Sequence, residues 1–235
     1  MNTAKIKDLF DVIRVGCVIK RLIAQEGDEG DSVKVVTNTF LNSDNKEMKT
    51  EHFDSYLYEK HHEKYELKVN DIVVSLVYPY GSLVVSENEA GAFCTHYSAI
   101  LRRAEGSDKP EIDPYYIKAL FDSDEFGNKD NGKFASCLGG EKKAISAISL
   151  NKLSEIEIPM LPIEEQIRIG ALIRSSNERI KMLQKLIDAE KNLVDAGLKK
   201  LAFGDGSKSE EAANNLAKKY GEIDNMYKKL RNSFN

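Results

Sequence analysis

The sequence predicts an α+β fold: a mixed, strand-rich domain followed by a long coiled-coil-type α-helix and a short C-terminal helix. Three observations predict it. Residues 1–152 hold short apolar or alternating segments bounded by glycine and polar turns, the pattern of strands in a single core. Pro159 and Pro162 close that region and no proline follows them. Proline lacks an N–H and disfavours helix before it, so a helix can begin only at or after Pro162. From there, apolar or small residues recur at alternating steps of four and three, through Ile169, Ile173, Ser176, Ile180, Leu183, Ile187, Glu190, Val194, Gly197 and Leu201. That spacing is a heptad seam.

In chain order, Lys5 to Val18 reads as an opening helix or strand, with Ile6, Leu9, Phe10 and Ile13 apolar. Gln25 to Ser32 is a Gly/Asp/Glu loop, and Ser32 to Thr37 alternates as a strand. Leu41 to Thr50 is polar and loop-like, and Tyr56 to Leu67 is charged and mixed. The adjacent His61 and His62 point to different sides of whatever element holds them. Leu67 to Val77 reads as a turn and then a buried strand, followed by a Tyr78-Pro79-Tyr80-Gly81-Ser82 turn and a strand from Leu83 to Ser86. After a turn at Asn88 to Gly91, Ala92 to Arg102 alternates again. Asp113 to Phe121 reads as a helix, with Asp113 as cap and Pro114 in its first turn. Asn128 to Lys143 is rich in Gly, Lys and Ser and lacks apolar periodicity, while Ala144 to Leu150 resumes an ordered pattern.

The long helix opens with Glu164 and Glu165, which complement the positive end of its dipole. Leu172, Leu186 and Leu193 widen its seam. Lys199 and Lys200 suit its negative end, and Gly204-Asp205-Gly206 stops it. About 39 residues at ~1.5 Å rise make a rod of roughly 58 Å, longer than a small domain, so its apolar face needs a further partner. Polar Glu190 and Ser176 within the seam suit a register-fixing role. Beyond a cap at Ser207, Ala213, Leu216, Tyr220, Ile223, Tyr227 and Leu230 form a tail helix that either lies back on the long helix or binds another chain.

The formal net charge is −4. Residues 1–150 carry 19 basic and 25 acidic side chains, a balance of −6, which leaves +2 for the remainder. Proteins that grip nucleic acid unaided are usually basic, so any such binding here is local or shared with a partner. No apolar run approaches the ~18 residues of a membrane span, and the N-terminus lacks a secretion pattern. Cys17, Cys94 and Cys137 are odd in number and widely spaced, as expected for a cytoplasmic chain.

Two stretches carry a family resemblance: Ile145-Ser146-Ala147-Ile148-Ser149-Leu150-Asn151-Lys152-Leu153, and then Ile156-Glu157-Ile158-Pro159-Met160-Leu161-Pro162-Ile163-Glu164-Glu165-Gln166. Together with Asn70 to Ser75 and Tyr80-Gly81-Ser82, they resemble the specificity subunits of type I restriction-modification systems, in a half-length form with a single target-recognition domain. The resemblance implies a DNA-reading domain over residues 1–152, a proline hinge and a dimerisation and spacer helix over 153–203, and an additional helix over 207–235 that the family pattern lacks. It implies a non-catalytic chain that reads one half of a split DNA target and docks methyltransferase subunits. A motor-nuclease subunit joins for cleavage, and S-adenosylmethionine is bound in the methyltransferase partner, with no cofactor in this chain. One reader and one conserved helix imply a homodimer through Ile169, Ile173, Ile180, Leu183, Ile187, Val194 and Leu201, reading a two-fold symmetric target.

Candidate DNA contacts are Lys133, Ser136, Lys142 and Lys143 in the Gly/Lys-rich loops, Tyr78, Tyr80 and Ser82 on a strand-ending turn, and the pairs Lys20-Arg21 and Arg102-Arg103. Each has a plainer reading as a solvated loop, a packed turn or a surface charge. Cys94-Thr95-His96 is too sparse for zinc. Asp130 with Glu141-Lys142-Lys143 imitates a nuclease pattern only faintly, and neither an adenine-methyltransferase motif nor a nucleotide fingerprint occurs. Two alternatives remain: a degenerate specificity fragment that scaffolds or regulates the methyltransferase without reading DNA, and an uncharacterised nuclease. Replacing Ile180 and Ile187 with Asp is expected to convert a dimer to monomer by sedimentation; an unchanged mass removes the helix as the assembly surface.

Overall fold

The structure, a computed structural model, describes residues 2–25, 29–42, 48–138, 147–203, 218, 221–229 and 231. It has the expected α+β architecture. In order the elements are β1 (Thr3–Lys5), α1 (Ile6–Leu9), β2 (Val12–Val15), a 3-10 turn (Ile19–Arg21), β3 (Gly30–Val36), α2 (Asn38–Asn42), β4 (Lys49–Asp54), α3 (Ser55–Tyr65), β5 (Ile72–Ser75), β6 (Ser82–Val84), β7 (Phe93–Cys94), β8 (Ser98–Arg102), α4 (Pro114–Phe121), α5 (Asp124–Gly127), α6 (Lys133–Ser136), α7 (Leu150–Ser154), β9 (Glu157–Pro159) and α8 (Ile163–Phe203). A tail helix covers residues 221–229. Lys142, Lys143, the Gly204-Asp205-Gly206 stop and the Ser207 cap lie outside the described residues, as does the side chain of Leu201.

The chain forms two compact units, Met1–Ile173 and Arg174–Asn235. In the first, β2-β8-β5-β6 make an antiparallel sheet, β4-β3-β7 a mixed one, and β1-β9 an antiparallel pair. All four residues of β5 are buried, because the strand is covered on both faces. Alternation sends Ile72 and Val74 into one core, with Ala99, Leu101, Ile117 and Phe121. It sends Val73 into the other, with Val36, Phe40, Leu67, Cys94 and Ile100.

The helix at Asp113 forms as expected: the Asp113 carboxylate accepts the Tyr115 N–H at 2.9 Å and the Tyr116 N–H at 3.0 Å. Two other segments differ from their sequence reading. Tyr56 to Leu67, with no apolar stripe, is largely helix α3, capped by Asp54 on the Leu57 N–H at 2.8 Å. The Gly/Lys-rich stretch after Asn128 contains α6, whose Phe134 is fully buried against Tyr80, Phe121 and Phe126 at ring separations of 5.4, 5.4 and 5.8 Å. One aromatic ring of this size anchors a short helix without any periodicity for a sequence pattern to reveal.

The hinge is part of the first unit's core. Leu153, Ile156 and Ile158 are buried with Ile6, Leu9 and Tyr116. Strand β1 pairs with β9 in the register Thr3↔Pro159, Ala4↔Ile158 and Lys5↔Glu157, so the two ends of the unit hold each other. Lys5 and Lys7 add ion pairs to Glu155 at 2.6 and 2.5 Å, and these hold its carboxyl down at about 2. Tyr116 Oη donates to the Pro159 carbonyl at 2.8 Å.

The root of α8 is fixed by Gln166, which is 1% exposed. Its amide oxygen accepts the Asp113 N–H at 3.2 Å, and its Nε2 donates to the Leu161 carbonyl at 2.8 Å. One turn on, Gly170 lies so near the Asp113 carboxylate that a Cβ there would sit 2.1 Å from Oδ1. Ile169 packs on the same core.

In the second unit α8 shows two apolar faces about a third of a turn apart at ~100° per residue. Leu186, Ala189 and Leu193 pack with Ile223 and Met226 of the tail helix, which therefore lies back on its own chain. Ile180, Leu183, Ile187 and Val194 are exposed. Replacing Gln166 with Leu strands the Asp113 N–H and the Leu161 carbonyl, and is expected to destabilise the first unit by about 1–3 kcal/mol. Gly170→Val, which collides with the α4 cap, should cost at least as much. Urea denaturation checks both, and parental midpoints would show that the helix root is not held by these contacts.

Candidate nucleic-acid interface

Register determines which connections share an end of the sheets. Val15 lies opposite Ala99, Ser75 opposite Ser98, Val74 opposite Ser82, and Val36 beside Cys94. The segments 16–21, 37–42, 76–81 and 95–97 therefore leave from one end. They are joined there by backbone and side-chain hydrogen bonds: Cys17 N–H to Cys94 O at 3.0 Å, Thr95 N–H to Val36 O at 3.3 Å and Leu76 N–H to Tyr97 O at 2.8 Å. Asn42 Nδ2 donates to Pro79 O at 3.1 Å and Ser75 Oγ to Asn38 Oδ1 at 2.5 Å. Gly16 permits the closest approach, since a Cβ there would lie 2.3 Å from the Cys94 carbonyl oxygen.

None of these four stretches contains Asp or Glu, in a chain that has 38 of them; the connection that continues from residue 42 to β4 carries Asp44 and Glu47. They expose Lys20, Arg21, Tyr78, His96 and Tyr97. Lys129 lies over the Tyr78 ring at 5.5 Å, and the His96 and Tyr97 rings are 4.0 Å apart. The connections at the other end include Glu66 and Asp71 before β5, Glu87 and Glu89 after β6, and Glu105, Asp108 and Glu111 after β8. An acidic chain thus gathers cations and aromatic rings on the 16–21, 76–81 and 95–97 stretches of one end, where an anion would meet them.

Of the residues singled out in the sequence, Lys20, Arg21 and Tyr78 come together at this end. Arg102 and Arg103 sit at the opposite end of β8. Arg102 Nε and Nη2 donate to Asp71 Oδ1 and Oδ2 at 2.7 and 2.5 Å, and Nη2 also reaches the Glu66 carbonyl at 2.7 Å. Asp71 is buried, and its hydrogen bond raises the Arg102 pKa, so the pair is a structural clamp between β5 and β8. Arg103 donates to the Pro110 carbonyl and, at 3.0 Å, to the Lys109 carbonyl, holding its own loop.

Tyr80 is buried in the aromatic cluster, and burial raises its pKa. Ser82 is buried and donates to Asp122 Oδ1 at 2.6 Å. Lys133 and Ser136 line an open cavity of about 660 Å³ with Cys137, Lys152, Glu155 and Glu157, against the hinge. There Lys133 Nζ donates to the Glu157 carbonyl at 3.0 Å. The sequence did not single out His96 and Tyr97 as contacts. The available signal was two ring-bearing polar residues in a three-residue connection between the buried runs Phe93-Cys94 and Ser98 to Leu101.

Burial pushes the Cys17 thiol up to about 12 and raises Cys94 as well, which keeps both as packing groups rather than nucleophiles. Among the described residues, no group of three or more His, Cys, Asp or Glu is placed to hold a metal ion, and no helix is long and apolar enough to cross a membrane.

No family model and no curated protein matches the sequence. Solved structures do match. The HsdS subunit from Thermoanaerobacter tengcongensis aligns at a TM-score of 0.51 and 15% identity, covering 84% of this chain and 48% of its own. A chain from a structure describing complex assembly and conformational transition of the type I R-M system aligns at 0.52 and 15% identity, covering 84% and 46%. The chain therefore shares its fold with these proteins and spans about half their length. Replacing Arg102 with Leu leaves Asp71 charged and buried without its partner, and is expected to cost about 3–5 kcal/mol of folding stability. Denaturant unfolding reads this directly, and a midpoint within error of the parent would return Arg102 to the candidate phosphate contacts.

Proposed function

We propose that this chain is a DNA sequence-specificity subunit of a type I restriction-modification system, in a half-length form. One observation carries the reading. The fold shared with HsdS brings to one end three stretches, 16–21, 76–81 and 95–97, that hold no carboxylate and expose Lys20, Arg21, Tyr78, His96 and Tyr97, on a chain of net charge −4. In this reading residues 1–152 read half of a split target, 153–203 supply the hinge and spacer helix, and 207–235 stiffen that helix. The chain performs no chemistry. Methyltransferase subunits, which bind the S-adenosylmethionine, dock on the hinge and helix in the cytoplasm, and a motor-nuclease subunit joins them.

Two copies pair through the exposed stripe Ile180, Leu183, Ile187 and Val194, the face that the tail helix leaves uncovered. Lys20 and Arg21 contact phosphates, with Lys142 and Lys143 as further phosphate contacts. Arg102 and Arg103 are withdrawn from that role by their intramolecular partners. A second reading, a scaffold that binds the methyltransferase but reads no DNA, is favoured by the same withdrawal, which thins the set of available cations.

The test is duplex binding by the complex of this chain with its methyltransferase, across a salt series. Lys20→Ala with Arg21→Ala is expected to weaken binding to all sequences alike and to lower the slope of log affinity against log salt by about 2. Sequence-independent binding by the unaltered complex would favour the scaffold reading.

A further inference from the structure

We infer that the β7–β8 turn, His96-Tyr97, is the base-reading element of this chain; the inference rests on the DNA-reading function proposed above. Base readout needs side chains that stand out from the fold, carry hydrogen-bonding groups and start from a backbone that does not yield. His96 and Tyr97 meet each condition. Both are exposed, although the residues on either side, Phe93-Cys94 and Ser98 to Leu101, are buried. The imidazole and the phenol each offer polar edges on a flat ring.

The turn that carries them is tied at Thr95, Tyr97 and Ser98. Ser98 N–H closes it on Thr95 O at 3.0 Å, Thr95 N–H bonds Val36 O at 3.3 Å, Leu76 N–H bonds Tyr97 O at 2.8 Å, and Gly16 N–H bonds Ser98 O at 2.9 Å. The turn is thus tied to the end of β3 and to the two connections that begin at Gly16 and Leu76. The two rings lie against each other, with centroids 4.0 Å apart, and neither belongs to the buried clusters.

Their position among the charges separates reading from holding. The Cys17–Thr95 bridge places the Lys20-Arg21 segment on one side of the turn. The bond from Leu76 places the Tyr78 segment, with Lys129 over its ring, on the other. Cations on both flanks suit the two phosphate strands that border a groove, and the rings between them face the base edges.

The experiment uses the full chain in complex with its methyltransferase and a panel of duplexes carrying every single-base change in the methylated target. His96→Ala and Tyr97→Phe should each reduce discrimination at one or two positions by about tenfold or more, with unrelated duplex bound within about threefold of the parent. Lys20→Ala with Arg21→Ala should instead weaken every duplex together. Because both rings are exposed, thermal melting should match the parent and exclude misfolding as the cause. If both turn variants keep the parental pattern of preference, or lose affinity for all duplexes equally, the turn is not the base reader although the chain still reads DNA. If the unaltered complex shows no preference among the duplexes, the DNA-reading function fails and takes this inference with it.

Discussion

The contact that the rest of the first unit depends on is the meeting of Asp113, Gln166 and Gly170. Asp113 caps α4 with its side chain and offers its own N–H to Gln166, while Gly170 gives its carboxylate room. A helix that follows a proline turn would otherwise leave the domain at any angle. Here the turn's carbonyls are taken up, Pro159 by Tyr116 and Leu161 by Gln166, so the backbone of the hinge is held on the core. Both carbonyls and the Asp113 N–H are partly or wholly shielded from water, where an unmet group is costly. The direction in which α8 starts is therefore a property of the folded domain and not of the hinge alone. Strand β1 reinforces it by closing the first residues of the unit on β9.

Charge is sorted by the same sheet. The antiparallel strands send alternate connections to opposite ends, and most of the acidic residues in them fall at one end, Asp44 and Glu47 of the β3–β4 connection excepted. The Arg102–Asp71 clamp lies there, satisfying a buried carboxylate and tying β8 to β5. At the other end the stretches 16–21, 76–81 and 95–97 carry cations and rings and no carboxylate. A net charge of −4 is thus compatible with an anion-facing surface, because whole-chain balance says nothing about where the topology places each sign.

The second unit shows a comparable division. The heptad pattern contains two overlapping stripes. Leu186 and Leu193 are covered by Ile223 and Met226, whereas Ile180, Leu183, Ile187 and Val194 are not. The tail helix satisfies part of the apolar surface within the chain, and what remains is narrow and close to the width of a two-helix seam. Polar Glu190 lies half-buried in that stripe.

The sequence by itself determined the elements whose signal is local. The two prolines set the start of α8 at Ile163, Asp113-Pro114 set the start of α4, and the apolar run at Ile72 to Ser75 marked a strand buried on both faces. These depend on φ restriction, capping and burial, all of which act within a few residues. Tertiary structure alone decided which loops gather. It brought Lys20, Arg21 and Tyr78 to His96 and Tyr97, moved Arg102 and Arg103 to the far end, buried Tyr80 and Ser82, and turned Lys133 and Ser136 towards the hinge. The short helix around Phe134 was invisible for a related reason: one buried ring has no period. That residues as distant in sequence as Lys20 and Tyr97 share one end of the sheets follows from strand order and register, and those are fixed by long-range pairing that no window of sequence contains.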